Sequence, residues 1–357
     1  MPTPQQISQR KFFRSKLKQT DYATATDTAS DANFKQMICS DKALTDAAPT
    51  VADNKGYATG HVQATEQWIV AHEAKRSFTF DVCSEEVGRD LYDAFGKVVT
   101  TQPDVGGNPT VYQHVFSLMD LTASLQLPAR TLVEQLGSAI DRKFPSCICE
   151  SWDIKGQGSQ RLQGSIAYKG SGKLVSPSGL TGVDLTGLHY FFESQVTLKL
   201  DDGSTVTNMA TAPQRVNSWS FGVANALLDA DGYRPGAAVF QDGSDPNSGE
   251  VRSELLLSEQ TFNSAFDVRL LSNDAMLAAL LAQTPFISTI DVLGPVITGI
   301  YNHKLSIKAY KIAFKAVVVG ESNGIVTLAI TPSVMYDLTA NKDVEVTLIN
   351  TVASYTS

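Results

Sequence analysis

The sequence predicts a mainly β protein, built as two tandem β-sandwich or barrel-forming modules, each flanked by a short α-helix. Three observations predict it. Apolar and polar residues alternate strictly along many short stretches, as half-buried strands require. A strand that runs straight into a short amphipathic helix occurs twice. Each half then closes on a strand–turn–strand hairpin.

Residues 1–35 read as an N-terminal arm, polar and irregular. Arg10, Lys11, Arg14, Lys16 and Lys18 cluster around Phe12 and Phe13. Such a run is expected either as a solvated face or as a segment that docks on an acidic neighbouring subunit. The first module is expected over 36–172. Its strand at 77–82 places Phe78, Phe80 and Val82 on one face and Ser77, Thr79 and Asp81 on the other. Ser84 is the expected N-cap of the helix that follows, and Glu85 and Glu86 suit its positive end. The helix carries Val87, Leu91 and Phe95 on one face and should stop at Gly96. Residues 102–109 can only be a loop. Leu121, Ala123, Leu125 and Leu127 alternate up to Pro128 and predict a strand. A hairpin closes the module, with strand Cys147 to Ile154, a turn at 156–159 and strand Arg161 to Tyr168.

Residues 170–187 hold five glycines and one proline in eighteen positions. A linker is expected there, with its boundaries at 173–187. The second module, over 188–357, begins with a strand at 195–200 and a turn at 201–204. A strand from Val216 to Val223 and a long polar loop at 229–250 come next. A strand from Glu254 to Leu257 precedes the second strand–helix unit, in which Ala265-Phe266-Asp267-Val268 leads to Ser272-Asn273-Asp274 and the face Leu277, Leu280, Leu281. Leu305, Ile307 and Ala309 alternate. A strand from Ile312 to Val319 turns at 320–324 and returns over 325–330, and Val344 to Leu348 alternates again. The halves overlay weakly, Phe80 on Phe266, Leu91 on Leu277, Gly156 on Gly320 and Ile166 on Ile330. The two helix caps fall two residues out of register in that overlay. Internal duplication is the expected origin.

The chain has 357 residues, 43% of them apolar and 18% charged, and a net charge of −8. This composition excludes general disorder and predicts a sizeable core. Tight binding to duplex DNA needs a surplus of Lys and Arg and is disfavoured. The N-terminus lacks the apolar core of a secretory signal, and no run approaches a membrane span, so a soluble cytoplasmic product is expected. Cys39, Cys83, Cys147 and Cys149 lack zinc-site spacing and read as small buried or half-buried thiols. No two of His61, His72, His114, His189 and His303 are spaced to share a metal on one helix. Gly156-x-Gly158 precedes a strand, so it is no phosphate cradle. Asp229-Ala230-Asp231-Gly232 lacks the later ligands of a calcium loop and reads as a turn. Glu85 and Glu86 are adjacent and point different ways on a helix. Without a catalytic constellation, neither an enzyme nor a cofactor is expected.

The order of these elements resembles the tail tube proteins of long-tailed, siphovirus-like bacteriophages. Lys18-Gln19-Thr20-Asp21-Tyr22-Ala23-Thr24 is similar to that family's opening segment, although Thr20 and Ala23 stand where the family usually has an acidic residue and a glycine. Arg76 to Val82 with its helix resembles the family's central strand and helix, and Cys147 to Gly156 the strand before the last hairpin. Asn217 to Asn225 matches an alternating strand ending in Asn. Leu305 to Ile330 and Val344 to Asn350-Thr351 match the closing strands. The resemblance covers nearly the whole chain through the order of its patterns. It implies a subunit of stacked rings around a lumen through which duplex DNA passes without specific binding. Two modules per chain would make a trimeric, pseudo-hexameric ring, and single-module use would need a hexamer. Tape measure, tail tip and terminator proteins would be the other partners, and the location the virion tail, assembled in the host cytoplasm. Candidate inter-subunit contacts are Arg10, Lys11, Arg14, Lys16 and Lys18 in the arm and Asp229, Asp231, Asp242 and Asp245 in the long loop. The alternative is a receptor- or carbohydrate-binding β-sandwich of the tail tip or a capsid decoration.

Overall fold

The protein is described from a computed structural model, over residues 10–22, 24–26, 31–40, 43–46, 49–55, 63–122, 124–137, 140–158, 160–174, 180, 187–203, 206–209, 214–228, 251–270, 275–322 and 324–356. It is mainly β. In chain order the first half holds strands β1 (Arg10–Ser15), β2 (Phe34–Gln36), β3 (Thr50–Asp53), β4 (Gln67–Ala71) and β5 (Ala74–Asp81), then helix α1 (Val87–Phe95). Strands β6 (Gly96–Thr101), β7 (Tyr112–Leu118), β8 (Arg130–Leu136), β9 (Ile140–Gln157) and β10 (Gln163–Gly170) complete it. The second half holds β11 (Val196–Asp201), β12 (Val206–Asn208), β13 (Gln214–Leu228) and β14 (Leu256–Leu270), then helix α2 (Ala275–Ala282). It ends with β15 (Phe286–Thr298), β16 (Tyr301–Ser322), β17 (Ile325–Val334) and β18 (Val344–Asn350).

Every strand pairing is antiparallel. One run of strands is ordered β5-β10-β9-β13-β14-β17-β16. A second is ordered β6-β7-β18-β16-β15-β11-β12. The 22-residue β16 belongs to both: its first part pairs with β15 and β18, its last part with β17. The ladder slips between Phe314 and Ala316, and such irregularities bend a strand from one layer to another. β9 turns the same way, since its first part joins β8, β1 and β2 in a smaller sheet.

Register explains the core. Phe78, Ile166, Trp152 and Val223 stand opposite one another across β5, β10, β9 and β13. All four are buried, together with Phe116, Leu348, Ile307 and Val292 from the other run. They form one continuous apolar cluster with Val87, Leu91 and Phe95 of α1. The predicted helix face is buried, but so is nearly the whole of α1: of its nine residues only Arg89 is half-buried, so the helix expected to flank the sheet lies within the core instead. α1 ends where expected, at Gly96, whose φ of 83° is the left-handed conformation that a side chain resists. Its start differs from expectation. Glu86 holds the N-cap position without a side-chain cap, and Ser84 instead hydrogen-bonds His303 Nδ1 at 2.8 Å.

Five other expectations are corrected. Residues 10–15 are no arm but an internal strand paired with β8, because Phe12 and Phe13 are buried and hold it there. In the alternating run 121–127 none of the described residues is in a strand; Leu121 and Leu125 are exposed while Leu127 is buried. The strands expected at 254–257 and 264–268 are one continuous β14. Leu281, expected on the buried face of α2, is 79% exposed. The stretch 173–187 does not divide two pairing networks either. β9 of the first half pairs with β13 of the second, and β18 pairs with β7, so strands of each half cover open edges of the other. The loop residues Asp229, Asp231, Asp242 and Asp245 and the cap residues 272–274 lie outside the described residues.

The same order of pairing occurs in both halves. In the first half β5 leads to α1 and the β6–β7 hairpin, and the β9–β10 hairpin returns so that β10 pairs with β5. In the second half β14 leads to α2 and the β15–β16 hairpin, and the β16–β17 hairpin returns so that β17 pairs with β14. Phe78 stands opposite Ile166 as Phe266 stands opposite Ile330. Phe78 and Phe266 are 188 positions apart, and so are the first helical residues Val87 and Ala275. This register removes the two-residue conflict at the caps, because Ser84 and Ser272 share it. Phe266 is therefore the counterpart of Phe78 rather than of Phe80.

Candidate functional site

The surfaces that could act on another molecule are the uncovered parts of the first run of strands. On its face away from the core, Thr79, Ser165, Asp153 and Gly222 stand in one row across β5, β10, β9 and β13. A neighbouring row carries Ser218, Asp267, Ala329 and Val318 across β13, β14, β17 and β16. Small and hydroxylic side chains dominate, with both signs of charge interspersed, among them Asp153 and Lys155. Alternation dictates this: where every second residue enters the core, the remainder must meet water.

The edges of that run differ. The outer edge of β9 is covered by β13, from Ser151 opposite Ala224 to Gln157 opposite Ser218. The last part of β16 is its counterpart in the second half. Among the described residues, no strand pairs with it on the side away from β17. Val318 and Val319 are 61% and 58% exposed there. At the far end, β5 is flanked by an irregular segment: the Ser40 amide donates to the Thr79 carbonyl at 2.7 Å, and Asp46 bridges antiparallel to Lys75. This segment sits against β5 where β13 sits against β14. The β3–β4 hairpin forms its own two-stranded sheet and exposes Val51, Trp68 and Val70. An isolated hairpin is marginal in water and gains from a surface to lie on.

Two of the predicted contact residues remain on the surface, Arg10 and Lys18; Lys11 and Lys16 are half-buried. Arg14 is not available to a partner at all. It is 3% exposed and pairs with Asp90, with Asp93 at 3.4 Å and with the Tyr168 hydroxyl at 2.8 Å. Asp93 also accepts from Arg130 Nε at 2.6 Å and from the Tyr168 hydroxyl at 2.7 Å. Burial opposes the charge of Arg14, but Asp90, Tyr168 and Asp93 together raise its pKa. Burial pulls the Asp90 carboxyl up to about 6 against the attraction of Arg14. The network ties β1 to α1 and β10. The sequence signalled its acidic half only as Asp90 and Asp93 within one helix.

The cysteines are free thiols, Cys83, Cys147 and Cys149 buried and Cys39 half-buried. Burial pushes Cys147 up to about 12 and Cys149 well above its usual range, so neither is a nucleophile. His114 is buried and bonded to Thr100, Asn350 and the Val352 carbonyl. His189 and His303, remote in sequence, meet at Glu85. The Glu85 carboxylate takes the His189 amide at 2.9 Å and approaches its Nδ1 to 2.8 Å. It lies 3.8 Å from His303 Nδ1, and the two imidazoles stack with centroids 4.3 Å apart. Spacing along one helix could not reveal this trio, because its members come from the residues before α1, the stretch before β11, and β16.

No protein-family model matches the chain, and no curated protein matches its sequence. Among the described residues, no helix is long and apolar enough to cross a membrane.

Proposed function

We propose that the protein is a structural subunit that closes into rings through strand edges, and that the rings stack into the tail tube of a long-tailed bacteriophage. The observation that carries this reading is the repeated sheet unit. One junction between units, β9 against β13, is closed inside the chain, while the equivalent edge of β16 has no strand on it among the described residues. An open edge with two exposed valines is a liability unless another chain covers it. A head-to-tail contact that repeats the internal junction places the segment of Ser40 and Asp46 from the next chain along β16. Such a heterologous contact closes into a ring when its rotation divides a full turn. With two tandem units per chain, three chains form a pseudo-sixfold ring.

The uncored face of the same strands would line the lumen. Hydroxylic and small side chains offer no basic stripe for phosphates to grip, and the net charge of −8 favours sliding over binding. The β3–β4 hairpin, with Trp68 exposed, suits contact with a neighbouring subunit, the tape measure or a terminator protein.

Negative-stain imaging of the purified protein tests the reading. Rings or hollow tubes about a closed axis are expected. A protein that stays monomeric at high concentration, with or without a tail initiator complex, would overturn it.

A further inference from the structure

We propose that Glu85, His189 and His303 form a binding site for one divalent transition-metal ion of the zinc type, placed on the seam between the two halves of the chain. One ligand atom from each of these three residues can be chosen so that all three lie within 4.8 Å of one another. Ligands bound at roughly 2.0–2.1 Å to a tetrahedral ion stand about 3.3–3.4 Å apart. The separations from Glu85 Oε1 to the two Nδ1 atoms, 2.8 and 3.8 Å, bracket that value. Two imidazoles and one carboxylate suit zinc, cobalt or nickel; calcium and magnesium prefer oxygen alone.

The surroundings favour a held ion. His303 is 2% exposed and fixed in β16, and the Ser84 hydroxyl lies 2.8 Å from its Nδ1, a hydrogen bond that ligation would replace and that leaves the hydroxyl beside the ion. The rings are stacked, so their lone pairs do not yet converge. His189, whose side chain is 46% exposed, is the ring with room to turn about its own bonds. Closure on an ion would tie the start of α1 to the stretch before β11 and to β16, so the ion would brace the fold rather than catalyse.

The test uses the full chain freed of metal by chelation. Cobalt(II) titration should give the visible absorption of a tetrahedral site at one ion per chain, and zinc should displace it and raise the melting temperature. His189→Ala lies at the surface and should fold, yet weaken cobalt binding by about tenfold or more; Glu85→Gln should weaken it less severely. Absence of stoichiometric binding, or binding unchanged in His189→Ala, overturns the proposal. The outcome is independent of ring formation, which the same samples report by imaging.

Discussion

Asp93 shows how much rests on single buried groups. It is fully buried and receives hydrogen bonds from Arg130, Tyr168 and Arg14. Replacing it with Asn takes the carboxylate from the buried Arg130 guanidinium and leaves Arg14 with Asp90 alone, a type of loss that costs about 3–5 kcal/mol. Chemical denaturation of Asp93→Asn should show that loss with the slope unchanged; a loss below about 1 kcal/mol would refute the role given to the network. Glu73 sets an acid limit. Burial would raise its carboxyl, but Lys75, Lys169 and Arg252 overcome this and hold it at about 2, against an ordinary 4.5. A depressed carboxyl contributes stability above its unfolded pKa and loses it as pH falls through the folded one. Glu73→Gln should therefore destabilise at neutral pH, and the gap to the parent protein should close between about pH 4.5 and pH 2. A gap constant with pH would contradict that assignment. Gly88 is a steric case. A Cβ there would come within 2.1 Å of the Tyr355 ring, which is itself buried and hydrogen-bonded to Asn350. Gly88→Ala should loosen the C-terminal residues, seen as faster proteolysis after residue 350, and Tyr355→Leu in the same chain should relieve part of the defect.

Among the elements, β1 and the end of β16 make opposite predictions. Deleting residues 1–16 removes a strand whose Phe12 joins the main core and whose Phe13 packs in a smaller one. Folding should fail, and a circular dichroism spectrum like that of the full chain would show that β1 is dispensable. Lysines in place of Val318 and Val319 together should leave the fold intact and abolish rings, since charge on an edge strand discourages pairing. Rings that persist in this variant would move the junction elsewhere. These elements also mark how far sequence reasoning reached. β5, the β9–β10 hairpin and β18 were legible because one side of each is buried and periodicity records that burial; α1 was legible from its apolar spacing and its Gly96 stop, although eight of its nine residues are buried. The basic cluster was misread because charge counts do not reveal that Arg14 meets Asp90 and Asp93 from a helix 76 residues away. The run at 121–127 has the right alternation and lies beside the start of β14, but among the described residues the backbone contact there is the single bond from the Leu257 amide to the Leu125 carbonyl, and one such bond makes no ladder.

Across the whole molecule, the two halves share a fold plan but not an environment. The first half's β9 is covered within the chain, while among the described residues no strand covers the end of the second half's β16, so neighbouring positions around a three-chain ring would be similar without being equivalent. A tube of this kind should show threefold rather than strict sixfold averaging, and an assembled sample should show no measurable affinity for duplex DNA at moderate salt. Tight DNA binding would remove the lumen reading of the small-residue face.

The sequence by itself determined the β class, the alternating faces and the helix stop, because these depend on burial patterns within a few residues. Tertiary structure alone decided the interleaving of the halves, the burial of Arg14 and the meeting of Glu85, His189 and His303. Each of these joins positions far apart in the chain. Which distant strands pair is set by how the whole core closes, and local periodicity carries no record of that choice.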